Sequence, residues 1–185
     1  MRIPRVASRY AKALVSIAQE RNELDVVKND VEVVLKALRE SRDLRAVIAS
    51  PVIKPDIKKN ILNEIFSKSI GELSLRFLTL LVDQRREHNT KEVLESYVTQ
   101  YLIAKNIVKA YVTTPIELDD SFRKAFSDMV HNQTEKDVLL EEKVNPDLIG
   151  GFVVRVGDLE YDASISGKLK KLKREFEENP YASEL

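Results

Sequence analysis

Apolar residues recur at helical spacing through the first hundred positions and then change period. Tyr10, Leu14, Ile17 and Ala18 share one face of a helix predicted from about Val6 to Arg21. Leu24, Val27, Val31, Val34, Leu35 and Leu38 mark a second helix, with Asn22 as its expected amino-terminal cap. A shorter helix follows Ser41 and carries Leu44, Val47 and Ile48; it must stop near Pro51, because proline lacks a backbone donor and restricts the residue before it. Pro55 suits a first helical turn, after which Ile57, Ile61, Leu62, Ile65 and Phe66 form the fourth stripe. Leu73, Phe77, Leu78, Leu81 and Val82 form the fifth, and Val93, Leu94, Tyr97, Val98, Tyr101 and Leu102 the sixth. Six one-sided helices with short connections can cover one another, so an antiparallel bundle is expected.

Near Asn106 the spacing switches to alternation. In Ile107–Thr114, Val108, Ala110 and Val112 alternate with Lys109, Tyr111 and Thr113, which predicts a strand with one wet face ending at Pro115. Phe122, Phe126, Met129 and Val130 return to helical spacing after Asp119, and Val138 to Val144 reads as a second strand. The Asn145-Pro146-Asp147 turn and the Gly150-Gly151 pair lead into FVVRV, which Gly157-Asp158 separates from LEYDA, a β-hairpin pattern. A last helix, from about Ser166 to Phe176, is expected to turn Leu169, Leu172 and Phe176 inward and its basic residues outward, leaving the tail ENPYASEL loose. The expected fold class is therefore mainly α with a small α/β part: a six-helix bundle over residues 1–105, then a small α+β domain over residues 106–185.

Charge reinforces that division. The 185 residues carry 30 Lys+Arg and 30 Asp+Glu, a net charge of zero. Residues 1–105 hold 19 basic and 14 acidic side chains, a net +5, whereas residues 106–185 hold 11 and 16, a net −5. The overall balance argues against a strongly basic nucleic-acid binder. Without cysteine there is no disulfide, thiolate ligand or cysteine nucleophile, and His88 and His131 stand too far apart in sequence to suggest a zinc site. The most apolar unbroken run, Phe77 to Val82, is far shorter than the roughly 20 residues of a membrane span. MRIPRVASRYAKAL enters a helical pattern at once, as expected of a mature start.

Candidate chemistry is sparse. Gly150-Gly151 lacks the Lys-Ser/Thr of a phosphate loop and fits a bulge or a close backbone approach. Asp158, Glu160 and Asp162 could form a carboxylate cluster, but at spacing two they are better placed on one solvated strand face, opposite Leu159 and Tyr161. Ser121-x-x-Lys124 lacks the companion motifs of acylating enzymes and is read as a helix start. The basic run Lys168 to Arg174 has few aromatic neighbours for stacking bases, which leaves a solvated or partner-facing helix side. Two alternatives stay open at this point: a small hydrolytic enzyme using the carboxy-terminal carboxylates, and a nucleic-acid-binding helical domain.

LIGGFVVRVGDLEYDASISGKLKKL, Leu148 to Leu172, resembles the carboxy-terminal signature of the delta subunit of F-type ATP synthases, a relative of the mitochondrial oligomycin-sensitivity-conferring protein. RYAKAL (Arg9 to Leu14), the Ser50-Pro51 turn with the Lys58 to Phe66 helix, and FLTLLVDQRR (Phe77 to Arg86) are similar to the same family in the same order. One departure bears on a helix end: where the family often has glycine before the final arginine of that last stretch, Arg85 stands. The resemblance implies a non-catalytic stator subunit, monomeric when isolated, with no cofactor, no metal and no nucleic acid. Its amino-terminal domain would receive an amino-terminal helix of an alpha subunit of the alpha/beta head, in a groove assigned to Tyr10, Leu14, Ile17, Phe77 and Leu81. Its carboxy-terminal domain would engage the end of the b-subunit stalk, with Ile149, Gly150, Gly151, Phe152, Asp158, Asp162, Ser164, Gly167 and Leu169 as structural or stalk-facing residues. The implied location is the cytoplasmic face of the inner (cell) membrane, reached indirectly through the complex.

Overall fold

The computed structural model describes residues 5–177, which group into two compact units that divide between Ala104 and Lys105. The chain is mainly helical, with a small four-stranded mixed sheet.

The first unit contains α1 (Arg5–Glu20), α2 (Leu24–Glu40), α3 (Arg42–Ala49), α4 (Pro55–Phe66), α5 (Glu72–Asp83) and α6 (Thr90–Ala104), the last preceded by a 3-10 turn at Glu87–Asn89. The stripes of these helices meet in one core that includes Leu14, Val31, Leu62, Phe66, Leu81 and Tyr97. Ser41 caps α3 by accepting from the Leu44 backbone N–H at 3.1 Å. Asn22 has another role than the cap expected of it. It sits at φ 56° beyond the end of α1, where the Glu23 N–H donates to the Ala18 carbonyl at 2.8 Å and the Asn22 N–H to the Gln19 carbonyl at 3.1 Å. This pair of reversed bonds closes a helix carboxy terminus, and asparagine tolerates the left-handed conformation it needs. The amino-terminal cap of α2 is Glu23.

The fourth stripe also differs from its expected composition. Ile57 and Ile65 are exposed, and the buried line of α4 is Lys58, Leu62 and Phe66. A lysine takes a core position because its ammonium is satisfied there: Nζ donates to the Ile48 carbonyl at 2.9 Å and to Glu87 Oε1 at 2.7 Å. Burial pushes the Glu87 carboxyl up, but the hydrogen bond from Lys58 and its positive charge more than offset this and hold it below its ordinary value. Asp30 makes a second buried tie, accepting from the Gly71 N–H at 2.9 Å and the Ser74 hydroxyl at 2.6 Å, so a residue of α2 serves the otherwise uncapped start of α5. Tyr101 donates to Asp25 Oδ1 at 2.6 Å, and this bond, with burial and the neighbouring charge, pushes its hydroxyl up to about 12.

The second unit runs β1 (Ile107–Thr114), α7 (Asp120–Thr134), β2 (Asp137–Val144), a 3-10 turn at Pro146–Leu148, β3 (Val153–Val156), β4 (Leu159–Asp162) and α8 (Ile165–Glu177). The sheet order is β2-β1-β3-β4; β1 and β2 are parallel, joined by α7, and the other two pairings are antiparallel. Asp119 caps α7, accepting from the Phe122 N–H at 3.0 Å. The register puts Ala110, Val112, Val154 and Val156 on one face with Tyr161 and Leu159 of β4, while Lys109, Tyr111, Arg155, Glu160 and Asp162 face the other way. Phe126 and Val130 of α7 pack on the apolar face with Ala110, Val112 and Val154. The expectation that Leu169, Leu172 and Phe176 of α8 point into a core is not met. All three are exposed, α8 buries no residue, and the small core is closed by α7 alone. The tail ENPYASEL lies outside the described residues.

Candidate functional site

Two surfaces, one in each unit, hold the residues singled out from the sequence. In the helical unit, Leu14 of α1 and Phe77 of α5 line a shared crevice with Val31, Val34, Leu78 and Leu94. It has a volume of about 10 Å³, room for one water at most. Leu14 and Leu81 are 1% and 0% exposed and belong to the core. The apolar atoms that reach solvent lie one helical step away. Ile17 is 40% exposed and Tyr10 partly so on α1, and Leu80, three residues beyond Phe77 on α5, is 44% exposed. Leu80 was missed in the sequence because it lies off the stripe that defines α5, although its apolar character at an outward position was visible.

In the second unit, the signature residues assemble around the first turn of α8. Gly151 has φ 77°, and a Cβ there would collide with the Ala163 carbonyl, so both the torsion and the close approach require glycine. The Ile165 N–H donates to the Gly150 carbonyl at 2.9 Å. Ser164, 1% exposed, accepts from the Gly167 N–H at 2.9 Å and so caps α8. Asp162 Oδ1 accepts from the Ser164 N–H at 2.8 Å, and a Cβ on Gly167 would strike the Asp162 carboxylate. Hydrogen bonds from Ser164 hold the Asp162 carboxyl below its ordinary value. Asp162 is thus committed to fastening a helix. Asp158 lies in the β3–β4 turn and Glu160 on the polar sheet face, and the described residues contain no group of three or more His, Asp or Glu side chains able to hold a metal ion. Ile149 and Leu169 are exposed, and Phe152 packs edge-on against Phe126 with ring centres 4.8 Å apart.

Phe152 also divides two open clefts that flank α7. One, of about 650 Å³, is lined by Ile116, Leu118, Phe122, Phe126 and Gly150-Gly151. The other, of about 510 Å³, is lined by Val130, Val154, Val156, Leu159 and Tyr161. Both include Met129 and Phe152, so they adjoin there as two parts of a slot along α7, one part beside Gly150-Gly151 and the other beside β3 and β4. Its wall on β4 is bare: Leu159 is 79% and Tyr161 64% exposed.

Residues 6–176 match the family model described as the ATP synthase delta (OSCP) subunit. The chain belongs to that family. It is 37% identical to ATP synthase subunit delta of Christiangramia forsetii across the full length of both chains. It is 38% identical to the subunit of the same name from Microcystis aeruginosa, over 90% of this chain and 92% of that one. A chain in the cryo-EM structure of the Toxoplasma gondii mitochondrial ATP synthase hexamer has the same fold, with a TM-score of 0.73 at 20% identity, covering 95% of this chain and 99% of that chain. As a member of the delta (OSCP) family the chain is a non-catalytic component of the peripheral stalk, or stator, of F-type ATP synthase. It is a peripheral part of that membrane complex, and among the described residues no helix is long and apolar enough to cross a membrane. Neither the carboxylate enzyme nor the nucleic-acid binder gains support from these relatives.

Proposed function

We propose that the six helices α1–α6 act as a bundle that receives an amino-terminal helix of an alpha subunit between α1 and α5, and that the second unit grips the end of the b-subunit stalk through the slot beside α7. The chain so placed, on the cytoplasmic face of the membrane, resists the torque that would otherwise spin the alpha/beta head with the rotor. The observation that carries this is the uncovered apolar slot of Phe152, Leu159 and Tyr161, a concave apolar surface of the kind that receives a partner helix. For the head contact, the exposed Ile17 and Leu80 beside the Leu14–Phe77 crevice supply the rim of a helix groove.

Reconstitution tests the whole assignment. Membranes stripped of this subunit should keep ATP hydrolysis in detached heads and lose ATP-driven ion transport, and adding the chain back should restore transport. The Ile17→Glu variant should bind an alpha-subunit amino-terminal peptide more weakly with its melting temperature unchanged, because residue 17 is already exposed. The Tyr161→Ser variant should bind the head normally and lose the stalk segment. Undiminished stalk binding by the Tyr161→Ser variant would remove the slot from this role.

A further inference from the structure

Four strands present one apolar face, yet a single helix, α7, covers it, burying Val154 of β3 and leaving Leu159 and Tyr161 of β4 open. The same chain carries a second amphipathic helix that buries no residue of its own: Ile165, which lies against Gly150, and Leu169, Leu172 and Phe176 of α8 form an exposed stripe at helical spacing. We propose that α8 is a lid for the slot, with an open position seen here and a closed one in which its stripe lies on Phe152, Tyr161 and Leu159. This rests in part on the stalk assignment above, since the closed lid would occupy the place given there to the stalk helix.

Three features converge on α8 as the occupant. The first is connection. β4 ends at Asp162 opposite Val153, so α8 starts at the Gly150–Phe152 end of the slot, and α7 starts at that end too, because β1 leaves the sheet there with Thr113 beside Val153. A helix leaving β4 after two residues and running back beside α7 is the ordinary way a helix covers the strand before it. The second is size. Beyond its pinned first turn, residues 168–177 of α8 make a lever of about 15 Å, and the slot follows α7 from Phe122 to Gln133, about 16 Å at 1.5 Å per residue. The third is charge. Residues 106–164 hold 6 basic and 12 acidic side chains, a net −6, whereas residues 165–177 hold 5 and 2, a net +3. The pivot follows the first turn: the bonds of Gly150, Asp162 and Ser164 fasten the residues up to Lys168, whose N–H donates to the Ser164 carbonyl at 3.1 Å, and every residue after Gly167 on α8 is exposed.

A lid of this kind regulates partner binding. A tethered helix competes at high effective concentration, so the affinity for a stalk helix falls in proportion to the closed fraction. The chain has no cysteine, so a designed pair is unambiguous. Leu159 lies about 10 Å along β4 from Asp162, and Leu172 about the same distance along α8 from Ile165. The full chain with Leu159→Cys and Leu172→Cys, both at exposed positions, should oxidise to an intramolecular disulfide at least about tenfold faster than a control pair of Leu172→Cys with Glu141→Cys on the polar face. Equal rates for the two pairs, or only intermolecular disulfides, would overturn the lid. The oxidised chain should also bind the soluble stalk segment at least about tenfold more weakly than the reduced chain. A disulfide that forms without changing stalk binding would support the lid and move the stalk site elsewhere. Stalk binding at the slot without the fast disulfide would sink the lid and leave the stalk assignment standing.

Discussion

Among the described residues, twenty-three apolar side chains are buried in the core of the helical unit and five in that of the α/β unit. The helical unit also ties its helices with buried polar bonds, Lys58 to Ile48 and Glu87, and Asp30 to Gly71 and Ser74. The α/β unit gathers polar bonds around one turn, where Asp162, Ser164 and Gly150 hold the start of α8, and leaves apolar area outside. A body completed by its own core can offer partners only its rim. A body with an uncovered strand at the edge of its sheet face is completed by whatever docks there, and its stability is linked to that ligand.

The sharpest way to break this contrast is Lys58→Met. It leaves the partly buried Glu87 carboxylate charged without its partner and the Ile48 carbonyl without its donor, so the helical unit should lose about 3–5 kcal/mol in a denaturant titration. Next comes a matched pair of truncations. Leu81→Ala, at a position with no exposure, should cost about 2–5 kcal/mol, whereas Leu172→Ala in α8 should stay within about 0.5 kcal/mol. Equal costs would mean that α8 is already packed. Removing the cap by Ser164→Ala should destabilise the second unit by about 1 kcal/mol, read as earlier loss of its amide protection in hydrogen exchange. The same fastening weakens in acid. The Asp162 carboxyl is held below its unfolded value, so its contribution is fully present above that value, near pH 4, and lost as the pH falls through the lower folded one; because the group is exposed, added salt should shrink the effect. Smallest is Arg85→Gly. Arg85 sits at φ 54°, with its N–H on the Val82 carbonyl and the Arg86 N–H on Leu81, so glycine should raise stability by about 1 kcal/mol or less.

Much of this was readable before any coordinates. Periodicity located all six helices of the first unit because each has one buried stripe, and it located the β3–β4 hairpin because Gly157-Asp158 interrupts an alternating run. It misplaced residues where a polar group replaces an apolar one in the core, as at Lys58, whose partners are 10 and 29 positions away and invisible to any local window. Asn22 was ambiguous for a different reason: asparagine suits both an amino-terminal cap and a left-handed helix stop, and only the bonds of Glu23 and Asn22 to α1 decide between them. The inward assignment of Leu169 and Leu172 shows the limit of amphipathicity. A stripe reports that a helix has something to cover, not whether its own chain covers it. At the candidate site the motif around Gly150-Gly151 and Asp162 was visible as a pattern, but its service as a fastening for α8 required the distances.

The outer strands of the sheet, β2 and β4, carry a further consequence. β4 is only four residues long and bears Glu160 and Asp162, and β2 carries Glu141, Glu142 and Lys143 along its second half. Short or charged margins discourage strand-by-strand addition of a second chain, the usual route from an exposed sheet to fibrils. An apolar face left uncovered is thereby guarded along its borders, so that a second chain meets it through side chains rather than strand by strand.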